Sequence, residues 1–183
     1  SLNNELNISQ KETGSTLASQ VVTEVDCKSQ NLILETLRPS CDEFSIAVLA
    51  EEEEDNKSRF EHDYFWCIDP LDGTKEFINR NGEFAVNIAF LRNGKPVFGV
   101  IASPVQKVIY AGGKETGVFK ISFEAIDNSN DWESINDPSE INNPMVMTCS
   151  RSHHSGPVLQ FINELKKLSP TIKFSKKGSS LKF

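Results

Sequence analysis

The sequence predicts a layered α/β sandwich, of mixed α+β and α/β type, in which a large, mostly antiparallel sheet precedes an incomplete C-terminal α/β layer. Short β-rich runs with tight connections fill residues 64–121, and a strand-helix-strand order follows at 145–174. We expect three segments: an antiparallel-sheet subdomain at 1–123, an acidic surface loop at 124–143, and the start of an α/β subdomain at 144–183.

The N-terminal region predicts one loop, one helix and one strand. Residues 1–20 are polar and show no periodicity, so we expect mostly loop. A helical pattern then runs through Leu32 and Leu37, and we expect Pro39 to end it, because the residue before a proline disfavours the helical conformation. Residues 44–50 form an apolar run that predicts a strand.

The middle of the chain predicts the sheet. Residues 64–68 are an apolar run typical of a buried strand. The runs 84–91 and 95–102 flank Asn93-Gly94, which is a strong hairpin signal. Two further β-rich runs lie at 108–111 and 117–121. With the strand at 44–50, these runs bring the predicted number of strands to about six. The short connections favour antiparallel pairing.

The C-terminal part predicts a different layer. Residues 145–149 and 172–174 are expected to be strands, and 158–168 carries apolar positions at helical spacing. This order is typical of an α/β unit.

Composition excludes several classes of function. With 183 residues and 38% hydrophobic content the chain is long enough to bury a core, and its formal charge of −7 argues against non-specific binding to nucleic acid or anionic membrane. No apolar run approaches the roughly 20 residues of a membrane span. The four cysteines form no C-x-x-C pair, so we expect reduced thiols rather than a zinc or redox site. The expected location is intracellular, in the cytoplasm or, because the N-terminus looks incomplete, in an organelle.

The richest chemistry lies in residues 69–77, Asp-Pro-Leu-Asp-Gly-Thr-Lys-Glu-Phe, directly after the strand 64–68. Pro70 fixes φ between the carboxylates of Asp69 and Asp72, and a glycine follows them. Such a turn directs several oxygens at one spot, as hard cations such as Mg²⁺ require, although the pattern alone also fits an ordinary solvated turn.

The run 69–77 resembles the signature of the lithium-sensitive, magnesium-dependent phosphatases, the superfamily of inositol monophosphatase and fructose-1,6-bisphosphatase. Its ending Lys75-Glu76-Phe77 and the run 82–89 are similar to the 3′(2′),5′-bisphosphate nucleotidase branch. The resemblance implies an αβαβα fold and about two or three Mg²⁺ ions. It also implies a small-molecule nucleotide substrate, 3′-phosphoadenosine 5′-phosphate or 3′-phosphoadenylyl sulfate, hydrolysed at a phosphate monoester.

The same resemblance implies a metal site built from a set of oxygen donors: Glu51, Asp69, Asp72 and the backbone carbonyl of Leu71. Glu51 opens the acidic run 51–55, which by itself fits a solvated face and leaves the register open by one residue. Glu52 is then a neighbour of the site.

Three residues are implied in catalysis: Asp26, Glu51 and Thr74. Thr74 would orient the attacking water, with Asp26 or Glu51 accepting its proton. Thr23 and Asp26 also have the spacing of a helix cap, and capping is the more frequent reading of that local pattern. Gly73 and Thr74 are expected to open a short helix whose free N–H groups bind phosphate.

Two later segments are implied in nucleotide binding, although each alone is an ordinary loop or turn. They are Ser-Arg-Ser-His at 150–153 and Gly-Ser-Ser-Leu-Lys-Phe at 178–183. The residues carried over are His153, Ser179 and Lys182, with Ser180 as a further candidate.

Two alternatives remain beside this hypothesis. The first is an inositol monophosphatase or sugar-bisphosphate phosphatase with the same metal core, against which residues 75–77 and 178–183 argue. The second is a non-catalytic metal- or nucleotide-binding remnant. We expect a fragment of a longer polypeptide, since the family's Trp-Asp-x-x-x-Gly element has no counterpart after residues 178–183 and no leading helix is recognisable.

Overall fold

A computed structural model describes residues 8–10, 21–135, 144, 146–151, 156–168 and 171–182. The helices in these ranges are α1 (Glu24–Phe44), α2 (Thr74–Ile78) and α3 (Gly156–Leu168). The strands are β1 (Ile8–Gln10), β2 (Val21–Thr23), β3 (Ala47–Ala50), β4 (Tyr64–Asp72), β5 (Ala85–Arg92), β6 (Lys95–Ser103), β7 (Val108–Gly113), β8 (Gly117–Ser122), β9 (Glu133–Ser134), β10 (Val146–Ser150) and β11 (Lys173–Lys177). Short 3₁₀ turns lie at Ser58–Phe60, Phe123–Ala125, Ser129–Asp131 and Ser180–Lys182. None of the helices in the described ranges is long and apolar enough to cross a membrane.

A seven-stranded sheet with the order β3-β4-β5-β6-β7-β8-β9 dominates the fold. From β4 to β9 every neighbouring pair is antiparallel, as the short connections predicted. Asn93 and Gly94 both have positive φ, 49° and 73°, which is the backbone of a type I′ turn and confirms the hairpin prediction. The seventh strand, β9, pairs with β8 inside the segment expected to be an acidic loop.

The pair β3 and β4 is parallel, with Ala47 opposite Phe65 and Ala50 opposite Ile68. Residues 51–63 connect the two strands, so the acidic run begins where β3 ends. Because parallel partners advance together along a sheet, the residues that follow Ala50 and Ile68 are brought level with each other.

The prediction that Pro39 ends the first helix is wrong, because α1 continues through it. Proline lacks the N–H that would bond to the carbonyl of Glu35, but both residues are exposed, so water can satisfy that carbonyl. The hydroxyl of Ser40 donates to the Leu37 carbonyl at 2.7 Å and adds a hydrogen bond in the same turn. The strand expected from residue 44 therefore starts only at β3.

Residues 1–20, expected to be mostly loop, contain one short strand, β1, which pairs with β2 in an antiparallel two-stranded sheet. Residues 1–7 and 11–20 lie outside the described residues.

The second layer agrees with the sequence, since β10 and β11 pair in parallel and α3 lies between them in the chain. It contributes little to the core. Among the described residues of α3 none is buried, whereas Ile68 and Leu71 of β4 and Ala85 of β5 are at most 5% exposed. The best-packed part of the molecule is thus the centre of the large sheet, around the motif 69–77.

Replacing Pro39 by alanine should stabilise the protein. Alanine restores one helical hydrogen bond at an exposed position, but it also gives the unfolded chain more conformational entropy than proline does. The net gain in the free energy of unfolding should be about 2 kcal/mol. Urea titration would measure it. The control Arg38→Ala, at the neighbouring exposed position, should change little, and equal stability of the Pro39→Ala and wild-type proteins would contradict the account.

Candidate active site

A β-bulge in β4 brings the two aspartates of the motif to one face of the sheet. Asp69 pairs with Asn87 of β5, and Asp72 pairs with Ala85, so four residues of β4 span three of β5. In a regular strand, side chains three residues apart point to opposite faces. The extra residue, next to Pro70, reverses that alternation and places both carboxylates on the same side.

Glu51 joins them because β3 and β4 are parallel. The Glu51 amide donates to the Ile68 carbonyl at 3.0 Å, which continues the pairing of the two strands beyond Ala50. Glu51 and Asp69 therefore stand level at the same face, and their carboxyl groups share a hydrogen bond. A hydrogen bond between two carboxyl groups needs a proton on one of them, and a cation between the two could take that proton's place.

The electrostatics of Asp69 show the cost of this arrangement. Burial, followed by the charge of Glu51, its hydrogen bond and the charge of Asp72, raises the pKa of Asp69 to about 8. The Leu71 amide donates to Asp69 Oδ1 at 3.2 Å, and this single hydrogen bond lowers the pKa too little to offset the other effects. A cation bound here would remove that penalty.

One face of α1 holds the bulge and the acidic loop in place. The hydroxyl of Ser29 donates to the Pro70 carbonyl at 3.1 Å, and Gln30 Oε1 accepts the amide of Glu52 at 3.0 Å. Asp26 lies one turn before Gln30 on that face, and its side chain is only 2% exposed. The structure thus puts Asp26 on the face of α1 that contacts the motif. The side chain of Thr23 lies outside the described part of the structure, so the predicted helix cap is not tested.

Asp72 is tied to the C-terminal segment. Its Oδ2 accepts the backbone N–H of Ser180 and, at 3.3 Å, the side-chain amide of Asn87. The hydroxyl of Ser180 donates back to Asn87 Oδ1 at 2.8 Å. These three residues form a closed hydrogen-bonded group that fixes the orientation of the Asp72 carboxylate.

Gly73 and Thr74 start α2, as predicted. Gly73 has φ 95°, a backbone conformation that favours glycine, and a Cβ there would also lie close to its neighbours, 3.1 Å from Cβ of Ser179 and 3.2 Å from the Glu83 carbonyl. The Thr74 hydroxyl donates to the Leu71 carbonyl at 3.4 Å. The predicted water-orienting hydroxyl and the predicted carbonyl ligand are therefore neighbours.

The predicted nucleotide-binding residues divide into two groups. Ser179 is 8% exposed, with its hydroxyl accepting the Leu181 amide at 3.3 Å, and Lys182 Nζ donates to the Ser179 carbonyl. Both lie in the turn attached to Asp72 through Ser180. His153 lies outside the described residues.

The donor set fits a hard divalent cation in part. Within the described ranges no three His, Cys, Asp or Glu side chains are grouped closely enough to hold a metal ion by themselves. Glu51 and Asp69 do form a ready pair of oxygen donors, whereas Asp72 is turned toward Ser180. Carboxylate and carbonyl oxygens suit Mg²⁺, and such an ion would offset both the burial of Asp69 and the nearby negative charge that together raise its pKa.

Sequence reasoning missed several supporting residues. Asn87 is a lone polar residue in the apolar run of β5, and that interruption was a usable signal. Ser29 and Gln30 carried no signal, because polar residues on a helix are ordinarily solvated. Glu83, whose carboxylate binds Arg151 and the Gly178 amide, depends on contacts that join residues 68 and 95 positions apart.

Comparison with known proteins identifies the family and the fold. The model of the Inositol monophosphatase family matches residues 1–182. The chain belongs to the inositol monophosphatase family. Its layered fold and its large sheet are those of the family, as the motif 69–77 predicted.

Relatives within this family include nucleotidases. The 3′(2′),5′-bisphosphate nucleotidase CysQ of Salmonella typhimurium is 39% identical over 169 residues, covering 88% of this chain and 60% of that protein. The crystal structure of CysQ from Bacteroides thetaiotaomicron has a TM-score of 0.71 at 34% identity, covering 86% of this chain and 60% of that one. The chain thus spans about 60% of the length of these relatives.

A more distant family structure shares the fold. An IMPase/NADP phosphatase complexed with Mg²⁺ and phosphate has a TM-score of 0.71 at 20% identity, covering 96% of this chain and 59% of that one. At this identity the likeness concerns the fold alone.

The raised pKa of Asp69 predicts a pH dependence of stability. The group binds its proton more tightly when folded than when unfolded, where aspartate titrates near 3.8. Its contribution is therefore fully present below that value and is lost as the pH rises through about 8. With a chelator present, the Tm of the wild-type protein should fall relative to that of Asp69→Asn between about pH 5 and about pH 9.

Mg²⁺ should reduce that relative fall in the wild-type protein. The exposed acid Asp127 offers a matched control, and Asp127→Asn should follow the wild-type curve. Parallel curves for the wild-type and Asp69→Asn proteins would show that Asp69 carries no such penalty.

Proposed function

We propose that this chain carries the metal-binding and nucleotide-binding parts of a Mg²⁺-dependent phosphomonoesterase. Its substrate would be 3′-phosphoadenosine 5′-phosphate, which is cleaved to AMP and phosphate. A second substrate would be 3′-phosphoadenylyl sulfate, which is cleaved to adenylyl sulfate and phosphate. The observation that carries the proposal is the bond from the Ser180 amide to the Asp72 carboxylate. It joins the acidic motif to the Gly-Ser-Ser-Leu-Lys segment, and the relatives that are 36–39% identical over 88% of this chain include several nucleotidases.

The acidic residues would divide the work. Glu51, Asp69 and Asp72, with the Leu71 carbonyl, would hold Mg²⁺. Bound Mg²⁺ supplies charge neutralisation for the phosphoryl oxygens and lowers the pKa of a bound water. The burial of Asp69 and its hydrogen bond to Glu51 keep these oxygens in one place before substrate arrives.

The remaining groups would handle the water and its proton. The Thr74 hydroxyl would orient the water for attack on phosphorus, in line with the ester oxygen that leaves. Asp26 or Glu51 would accept the proton, and the ribose oxygen takes up a proton as the P–O bond breaks. Since water is the nucleophile, no covalent intermediate with a side chain is needed.

The nucleotide would lie toward the second layer. Gly73 and Thr74 are proposed to contact the scissile phosphate, and His153, Ser179 and Lys182 the rest of the bisphosphate nucleotide. Lysine and histidine side chains can neutralise the negative charge of the second phosphate, a group that an inositol monophosphate lacks. The formal charge of −7 argues against a nucleic-acid ligand. It favours a small substrate that bound metal ions and a few cationic side chains would hold.

The four free cysteines favour a reducing, intracellular compartment.

The first test is substrate choice. With the full-length gene product and Mg²⁺, we expect phosphate release from 3′-phosphoadenosine 5′-phosphate, inhibition by Li⁺, and little release from inositol 1-phosphate. A preference for inositol 1-phosphate would reassign the substrate while keeping the metal chemistry. Release from neither would favour the non-catalytic alternative.

Asp72→Asn tests the metal role. Asparagine can still accept the Ser180 amide, so the fold should persist, but the lost charge should lower kcat by more than about 100-fold. Circular dichroism would monitor the fold and phosphate release the rate. The exposed Asp63, at the other end of β4, supplies the control Asp63→Asn, which should keep wild-type activity. Retained activity in Asp72→Asn would remove this residue from the metal site.

A further inference from the structure

Glu83 is a carboxylate with three strong hydrogen bonds outside the acidic site. Its Oε2 accepts Arg151 Nε at 2.7 Å and the Gly178 amide at 2.8 Å, and its Oε1 accepts the second guanidinium nitrogen at 2.7 Å. The side chain of Glu83 is 15% exposed and that of Arg151 is 46% exposed. Paired N–H donors on a carboxylate, supplemented by a backbone amide, make this a far better ordered contact than an ordinary surface ion pair.

Both partners of Glu83 belong to the second layer. Arg151 follows β10 directly, and its backbone amide donates to the Lys177 carbonyl at the end of β11 at 3.0 Å. Its guanidinium also donates to the Lys176 carbonyl at 3.2 Å. Arg151 thus hydrogen-bonds the end of β11, directly after β10, and links both strand ends to Glu83.

Glu83 itself sits on a fixed loop between α2 and β5. Its amide donates to Asn81 Oδ1 at 2.9 Å, and the Asn81 amide donates to the Glu76 carbonyl at 3.2 Å. The loop is therefore anchored to the same short helix that Gly73 and Thr74 begin.

Close packing makes the contact exacting. A Cβ at Gly178 would lie 2.6 Å from Cγ of Glu76, 2.9 Å from the Glu83 carbonyl and 3.0 Å from Cβ of Glu83. Only glycine lets the chain pass here. Two residues later Ser180 donates to Asp72, so the segment 178–180 is held at both ends.

We infer that the Glu83–Arg151 ion pair is a positioning clamp that holds the nucleotide-side segment 178–182 against the Asp72 carboxylate. Both residues act here through the backbone that they hold, the Gly178 amide for Glu83 and the Lys176 and Lys177 carbonyls for Arg151. Arg151 belongs to the predicted segment 150–153 and Gly178 to the predicted segment 178–183, so one carboxylate contacts a described residue of each. The clamp therefore governs selectivity for a bisphosphate nucleotide, and this part of the inference rests on the proposed function.

Amide hydrogen exchange tests the clamp without any activity. In Arg151→Ala the amides of Gly178 and Ser180 should exchange about tenfold faster, while those of the β5–β6 hairpin stay unchanged. Arg151→Lys keeps a charge that can pair with Glu83 and should restore part of the protection. Arg38→Ala, an exposed arginine of α1, is the matched control. Unchanged exchange at Gly178 and Ser180 would overturn the clamp.

Steady-state kinetics test its role in selectivity. In Arg151→Ala, kcat/KM for 3′-phosphoadenosine 5′-phosphate should fall by about tenfold, mainly through KM, whereas kcat/KM for p-nitrophenyl phosphate, which lacks the nucleoside, should fall by no more than about twofold because the Ser180 amide can still reach Asp72. An equal loss on both substrates would indicate general damage and overturn the selectivity role. If the wild-type full-length protein released no phosphate from the nucleotide, the proposed function and this selectivity role would both fail, while the exchange result would still decide the clamp.

Discussion

The burial of Asp69 beside two further acids, Glu51 and Asp72, is the constraint around which the surrounding structure is arranged. Three carboxylates at one sheet face destabilise a folded chain unless protons, hydrogen-bond donors or a cation compensate them. The structure uses the first two: Glu51 and Asp69 share a hydrogen bond, and Asp72 receives an N–H from Ser180. A bound cation would be the third form of compensation, and it would remove the energetic cost that burial and neighbouring charge impose on Asp69.

Two backbone devices create this concentration of charge, and α1 supports them. The parallel pairing of β3 with β4 sets Glu51 beside Asp69, and the bulge turns Asp72 to the same face. Both devices leave carbonyls and amides without regular sheet partners. Polar groups on one face of α1 take up two of these, the Pro70 carbonyl and the Glu52 amide, so a long helix with a polar buried face is needed here.

The elements predicted well were those specified by neighbouring residues. Asn93-Gly94 specifies its turn because both residues readily adopt positive φ. The apolar runs 108–111 and 117–121 can pair at a low cost in chain entropy, because the connection between them is short. The helix end predicted at Pro39 was wrong because the local cost of this proline is outweighed by the packing of α1 on β4, including the Ser29 hydrogen bond to the Pro70 carbonyl. The parallel β3–β4 pair and the Glu83–Arg151 contact depend on distant segments, and no local pattern encodes them.

The long-range contacts of the site have a consequence for how the chain acquires its structure. The hairpins from β5 to β8 join neighbours, whereas Asp72 meets Ser180 across 108 positions and Glu83 meets Gly178 across 95. Closing such loops costs entropy that only late contacts repay. During synthesis the sheet can therefore form while the Asp72 carboxylate still lacks its C-terminal donor, and the site reaches its final form only after β11 has left the ribosome.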